Sequence, residues 1–217
     1  MAVQSITQYR IVPGGGKAFF SAMAEEQALR TRQGAVASLR MIIVGGEATD
    51  IIGQILAFPT AAARAAAMDE AMKDPDESPL VYALRAADPP ASVLGRIYLN
   101  EFPETELVPA APAVVTTLRW RINPGRLLEG EAAMLDVRRI QSEAGGDAHL
   151  WTLNAAGPST GERWMSVGNA SWAESEERIA RVMAGVAARG TRGPMTTVFE
   201  SGAVVPLGVT MSVLVEL

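Results

Sequence analysis

The chain has no cysteine and only one histidine, His149, in 217 residues. The first absence excludes disulfides, thiolate nucleophiles and cysteine-held iron–sulfur clusters. The second confines imidazole chemistry to one position. With no thiolate and no second imidazole to complete a ligand set, no metal site is expected. Positive charge is also scarce. Lys and Arg total 19 against 24 Asp and Glu, for a net charge of −5. A nucleic-acid partner normally demands a basic face, so none is expected. No apolar run approaches the roughly 18–20 residues that span a bilayer. Met1-Ala2-Val3-Gln4-Ser5 lacks the basic-then-apolar pattern of a secretory leader. The expectation is a cytoplasmic protein with no membrane partner, and the lack of cysteine is compatible with a reducing compartment. Two phosphate or nucleophile signatures are also missing. Gly14-Gly15-Gly16-Lys17 lacks the P-loop spacing, and the serine of Gly157-Pro158-Ser159-Thr160-Gly161 is not in a nucleophile elbow. Both read as turns.

What is present is a sentence written twice. Tyr9-Arg10-Ile11-Val12-Pro13-Gly14 recurs 111 positions later as Trp120-Arg121-Ile122-Asn123-Pro124-Gly125. A duplicated unit fixes architecture before any catalytic residue is considered. The pattern predicts strand 3–12, helix 17–33, strands 37–45 and 49–58, helix 61–73, a helical piece near 79–87 and strand 93–102. The second half predicts strand 114–123, helix 126–143, strands 148–155 and 162–170, helix 172–188 and strand 208–216. Gly45-Gly46-Glu47 is read as a turn and Asp74-Pro75-Asp76 as a break. Thr60 suits a helix cap, and Ser171-Trp172-Ala173-Glu174 reads as a capping box. The expected units are 1–103 and 113–217, joined by a stiff proline-rich linker, 104–112. Helix 17–33 is expected to bury Phe20, Met23 and Ala24 and to turn Glu25 and Glu26 to water. Helix 126–143 carries Leu127, Met134 and Val137 at helical spacing. Helix 172–188 is expected to bury Ile179, Val182, Met183 and Val186.

Each half is therefore β-α-β-β-α-β, a ferredoxin-like unit with helices on one sheet face. Tyr9, Ile11, Trp120 and Ile122 belong under the helices. The opposite face should carry Gln8, Arg10, Arg119 and Arg121, then Ser38 and Arg40 matched by His149 and Trp151. It should also carry Gln54 and Leu56 matched by Val167 and Asn169, with Arg96, Tyr98 and Asn100 alternating on the fourth strand. The element order, the repeat length, segments 7–14 and 117–125 and the junction Asn169-Ala170-Ser171-Trp172 resemble the dimeric α+β barrel superfamily. That group includes antibiotic-biosynthesis monooxygenase and NIPSNAP-like domains. The resemblance implies an α+β fold in which two tandem ferredoxin-like units press their helix-free faces together into a barrel within one chain.

The interior then becomes the candidate site for a small-molecule ligand. Arg10 and Arg121 are equivalent, with Arg40, Arg96 and Arg119 nearby. Guanidiniums there either hold a carboxylate or enolate oxygen or pair with Glu101 and Glu216 across the sheet. His149, Trp151, Trp164 and Asn169 have no like counterpart, because the first half carries Ser38, Arg40, Ile51 and Leu56. His149 reads as an acid/base, as a haem ligand by analogy with superfamily members, or as a strand residue bonded to backbone. The tryptophans either line a pocket or fill it. The resemblance implies cofactor-free, monooxygenase-like chemistry on a polar aromatic or enolisable substrate. In that reading His149, Asn169 and Arg121 act in catalysis, while Arg10, Arg40, Trp151, Trp164 and Gln54 bind substrate. The alternative is a non-catalytic NIPSNAP-like or stress-related binding protein. Free sheet edges leave room for a homodimer.

Overall fold

The computed structural model describes residues 2–44, 50–73, 78–102, 111–154, 162–188, 200 and 202–217. The turn expected at 45–47, the break at 74–76, most of the linker (103–110) and the loop at 157–161 lie outside the described residues. The chain runs β1 (Val3–Ile11), α1 (Gly16–Arg32), β2 (Val36–Val44), β3 (Ile52–Phe58), α2 (Ala61–Lys73), α3 (Pro79–Leu84) and β4 (Ala91–Glu101). It continues with β5 (Val114–Ile122), α4 (Leu127–Glu143), β6 (Asp147–Leu153), β7 (Glu162–Asn169), α5 (Trp172–Ala188) and β8 (Val204–Leu214). Every strand pair is antiparallel, and the ring closes in the order β1-β3-β2-β8-β5-β7-β6-β4. The fold is thus a dimeric α+β barrel built within one chain. Because every strand has two neighbours, the free edges expected to invite a homodimer are absent among the described strands.

Local chemistry explains the punctuation. Gly14 and Gly125 take φ of +81° and +78°, and Gly34 and Gly145 take +87° and +89°. The same left-handed turns therefore recur at the repeat offset, where a side chain would cost strain. The Ala63 N–H donates to Thr60 Oγ1 (3.0 Å), capping α2. Glu174 N–H donates to Ser171 Oγ (3.1 Å), and the Glu174 carboxylate accepts from Ala170 N–H. A bulge sits opposite Gln8/Tyr9, where β4 skips Leu94, and another opposite Arg119/Trp120, where β8 skips Leu207. An extra residue bends its strand, which helps a sheet curl into a ring.

Outside the ring, Tyr9 packs with Phe19, Met23, Leu39, Ile52 and Leu80. Trp120 packs with Met134, Val137, Leu150, Met165 and Val167. Each such side chain contributes about 1.5–3 kcal/mol by leaving water. Three expectations need correction here. Glu26 is buried, not solvated, because its carboxylate accepts from Arg30 Nε (2.7 Å) and Ser78 Oγ (2.6 Å), tying α1 to α3. Leu127 is half exposed, and α4 instead buries Gly130, Met134, Val137 and Gln141. Helix α5 turns Ser175 and Arg178 inward, leaving Ile179 45% and Met183 63% exposed. Arg178 faces in because its guanidinium finds Asn169 Oδ1 (2.9 Å) and Gln141 Oε1 beneath it.

The faces of β3 and β7 are also reversed from expectation. Leu56 packs with Val3, Phe58 and Ala67 on the helix side, as Val167 does in its own half. Gly53, Ile55 and Ala57 therefore point inward, as do Trp164, Ser166 and Gly168. A one-residue error in a strand of period 2 moves every side chain to the other face. The registers Thr7↔Gln54 and Leu118↔Met165 carry the 111-residue offset through these strands. The counterpart of Trp164 is therefore Gly53, not Ile51.

Candidate functional site

The barrel encloses a cavity of about 90 Å³. At the ~30 Å³ that a water takes up in the liquid, that is room for about three waters. Strand alternation on β6 aims Asp147, His149 and Trp151 into it while Ala148 and Leu150 pack against the core under α4. Across the barrel, β2 contributes Ser38 and Arg40 and β8 contributes Ser212. Trp164 and Ser166 of β7 and Thr117 of β5 complete a lining of mixed polarity.

One wall is an acid–base cluster. His149 Nδ1 lies 2.6 Å from Glu101 Oε1, and Nε2 lies 2.9 Å from Asp147 Oδ1. Pairing of Glu101 with Trp151 across the short β4–β6 seam brings the Glu101 carboxylate to the ring. Glu101 is buried, and Arg138 Nη2 of α4 approaches the same oxygen at 3.7 Å. Burial of the imidazole opposes its charging. The hydrogen bonds to Asp147 and Glu101 outweigh that opposition, and His149 titrates at about 9 instead of 6.5. At neutral pH it is therefore an imidazolium donating from both nitrogens. The same bond holds the half-exposed Asp147 carboxylate below its ordinary range. The Trp151 ring lies 5.8 Å from the imidazole, and its Nε1 donates to Ser166 Oγ (2.8 Å).

The other wall holds Arg40. The side chain is 4% exposed. Its Nη2 donates to Pro112 O, while Nη1 has no hydrogen-bond partner. Burial lowers its pKa to about 10. Pro112 is seated over Gly168, where an added Cβ would come within 2.5 Å of Pro112 Cγ.

A separate group surrounds Glu162, two residues before Trp164 on the same face. Its carboxylate accepts from Arg119 Nη2 (3.1 Å) and Trp164 Nε1 (3.2 Å), and Arg121 Nη2 lies 3.7 Å away. The Arg119 guanidinium stands 5.3 Å from the Trp164 ring centroid.

Of the residues singled out by sequence, His149, Arg40, Trp151 and Trp164 meet at the cavity. Four others do not line it. Asn169 is buried under α5, where it accepts from Arg178 and donates to Val167 O (3.4 Å). Gln54 accepts from the Tyr9 hydroxyl (3.3 Å) on the helix side. Arg10 is exposed, and Arg121 belongs to the Glu162 group. Arg96 turns outward to Thr7 Oγ1 (3.1 Å). Glu216 is exposed beyond β8 and Glu101 serves His149, so the carboxylate that Arg119 and Arg121 meet is Glu162 instead. Sequence reasoning missed Asp147. Its two-residue spacing from His149 on one strand face was the available signal. Among the described residues no group of three His, Asp or Glu could hold a metal ion, and no helix is long and apolar enough to cross a membrane.

No protein-family model and no curated protein matches the chain. Solved structures do match in shape. A candidate monooxygenase from Fusobacterium nucleatum aligns at TM-score 0.60 and 6% identity, over 98% of this chain and 91% of its own. A mutant chlorite dismutase from Candidatus Nitrospira defluvii aligns at 0.56 and 7%, over 99% and 92%. A heme-binding protein from Thermus thermophilus aligns at 0.53 and 9%, over 99% and 91%. The chain thus has the dimeric α+β barrel fold of chlorite dismutase-like and monooxygenase-like proteins. Haem does not fit the residues present. Axial ligation needs a ring nitrogen lone pair, and both nitrogens of His149 are committed to carboxylates in a cavity far smaller than a porphyrin.

Proposed function

We propose that the barrel interior is the active site of a monooxygenase-like enzyme that needs no cofactor and acts on a small polar aromatic or enolisable substrate. The observation that carries this reading is the Asp147–His149–Glu101 cluster opening onto a cavity walled by Trp151 and Trp164. The indoles would hold a flat ring. Asp147 would accept the proton of a phenol or of a carbon beside a carbonyl. The imidazolium charge that Asp147 then ceases to neutralise would face the new oxyanion. The electron-rich anion would reduce dioxygen, so that a phenol and one O₂ become a quinone and one water. Units 1–103 and 113–217 and a cytoplasmic location belong to the same reading. Support comes from the equal offset of the glycine turns and from the lack of cysteine.

Oxygen uptake with a panel of phenols and enolisable carbonyl compounds tests the proposal. Asp147→Asn should lower kcat by roughly 10²–10⁴-fold, the usual range for a lost acid–base group, while the protein stays folded. No uptake with any substrate, or uptake indifferent to the substitution, defeats it. The second reading is a non-catalytic ligand-binding protein. It is favoured by the engagement of both His149 nitrogens, which leaves the imidazole unavailable as a base.

A further inference from the structure

Among the described residues, one buried charge has no use in the fold. Arg30 pairs with Glu26, Arg119 with Glu162 and Arg163 with Glu131. Arg178, buried without a carboxylate, still has neutral acceptors for Nε and Nη1. Arg40 differs. Among the described residues it makes one hydrogen bond, to a backbone carbonyl, and no ion pair. Its Nη1 is sealed from water with nothing to donate to. A guanidinium taken out of water without a counter-charge is costly and contributes nothing to folding that an apolar side chain would not match. Its position at the cavity wall points to a counter-charge that arrives with a ligand.

We infer that the cavity selects small carboxylates, seating the anionic group on Arg40 and the flat or enolisable body between Trp151 and Trp164. Ser38, two residues earlier on the same strand face, and Ser212 on β8 add hydroxyl donors to the same cavity. The opposite wall carries Asp147, so the field across the cavity is polar. A carboxylate is drawn to Arg40 and repelled from Asp147, which turns the far end of the ligand towards the acid–base cluster. The volume limits the ligand to about one ring. A hydrogen bond from a guanidinium to a carboxylate is charge-assisted, roughly twice as strong as the neutral one that an amide oxygen would accept. The binding claim stands on Arg40 alone. What happens to the bound acid rests on the enzyme proposed above.

The test titrates the intact protein with benzoate and with benzamide, its neutral isostere, following tryptophan fluorescence. Trp151 and Trp164 line the cavity, so a ligand there changes the signal. Benzoate should bind roughly ten- to a hundredfold more tightly, as charge-assisted hydrogen bonds allow. Arg40→Gln should erase that preference, and Arg40→Lys should keep part of it. The comparison on the native protein decides the matter even if the glutamine variant fails to fold. Equal affinities, no saturable binding of either probe, or a benzoate preference that survives Arg40→Gln would each overturn the inference. Carboxylate selectivity without oxygen uptake would sink the enzyme and leave the binding site. Oxygen uptake with equal affinity for charged and neutral ligands would do the reverse.

Discussion

The His149 clamp makes a stability prediction with a definite sign. In the folded protein the imidazolium persists to a pKa of about 9, against 6.5 in a model peptide. A group whose pKa rises on folding stabilises the folded state fully below the unfolded pKa. That contribution then fades as pH climbs through the folded value. At ~1.36 kcal/mol per pH unit, the gap is worth about 3 kcal/mol below pH 6.5. For a chain of this size that is a large share of the about 5–15 kcal/mol that holds a domain folded. The assay is urea unfolding at a series of pH values from 6 to 10, for the parent chain and for His149→Gln. The parent should lose about 3 kcal/mol more than the variant across that range. The common slope from lysines and tyrosines cancels in the difference. Parallel curves would refute the clamp and return His149 to an ordinary imidazole.

Two substitutions separate framework from site. Asn169→Ala removes the acceptor for the buried Arg178 Nε and should cost about 1–3 kcal/mol, seen as a thermal midpoint lowered by several degrees. Benzoate affinity should not change, and the opposite pair of results would restore Asn169 to the site. Gly168→Ala would drive a methyl group into Pro112 and so displace the carbonyl that holds Arg40 Nη2. It should weaken benzoate binding more than it lowers the thermal midpoint. Undiminished affinity would show that Pro112 does not position the guanidinium.

Much of the ring was legible in the sequence because its punctuation is chemical. The Pro-Gly turns, the Thr60 cap and the Ser171–Glu174 box mark boundaries that the structure keeps within a few residues, β8 alone starting four residues early. Arg40 and His149 were placed on the correct face because polar residues alternate around them. The face of β3 was not readable. Ile52-Gly53-Gln54-Ile55-Leu56-Ala57-Phe58 is apolar on both sides, since one side packs under α2 and the other fills a barrel. A strand buried on both faces carries no parity signal. Helix α5 misled for a related reason. Its 3.6-residue stripe marks an amphipathic helix without saying which side docks, and Arg178 and Ser175 took the inner side. The Glu101–His149 contact joins residues 48 apart in sequence. It exists only because the ring closes between β4 and β6, a long-range event that local pattern does not record.

That closure also sets unlike residues at the two places where residues 2–102 meet residues 111–217 in the ring. The ring has two seams, β4–β6 and β2–β8, and the pair Glu101↔Trp151 at the first answers Leu214↔Arg40 at the second. At the first seam stand Asp147, His149, Trp151 and Glu101. At the second, the same positions hold Val36, Ser38, Arg40 and Leu214. One seam carries a clamped imidazolium with two carboxylates and the other a bare guanidinium beside the Ser38 hydroxyl. Likewise Trp164 occupies the place of Gly53, so an indole projects into the cavity from one half where the other offers only backbone. The repeated residues, Tyr9 and Trp120 or Gly34 and Gly145, lie outside the ring or in turns, where they maintain the frame. The cavity thus has an acid–base wall, a cationic wall and an aromatic side. Two identical halves would present equal charge from both seams, and a ligand would bind in either sense. The difference between the two seams, Asp147 and Glu101 on one and Arg40 on the other, therefore makes the charge across the cavity one-sided.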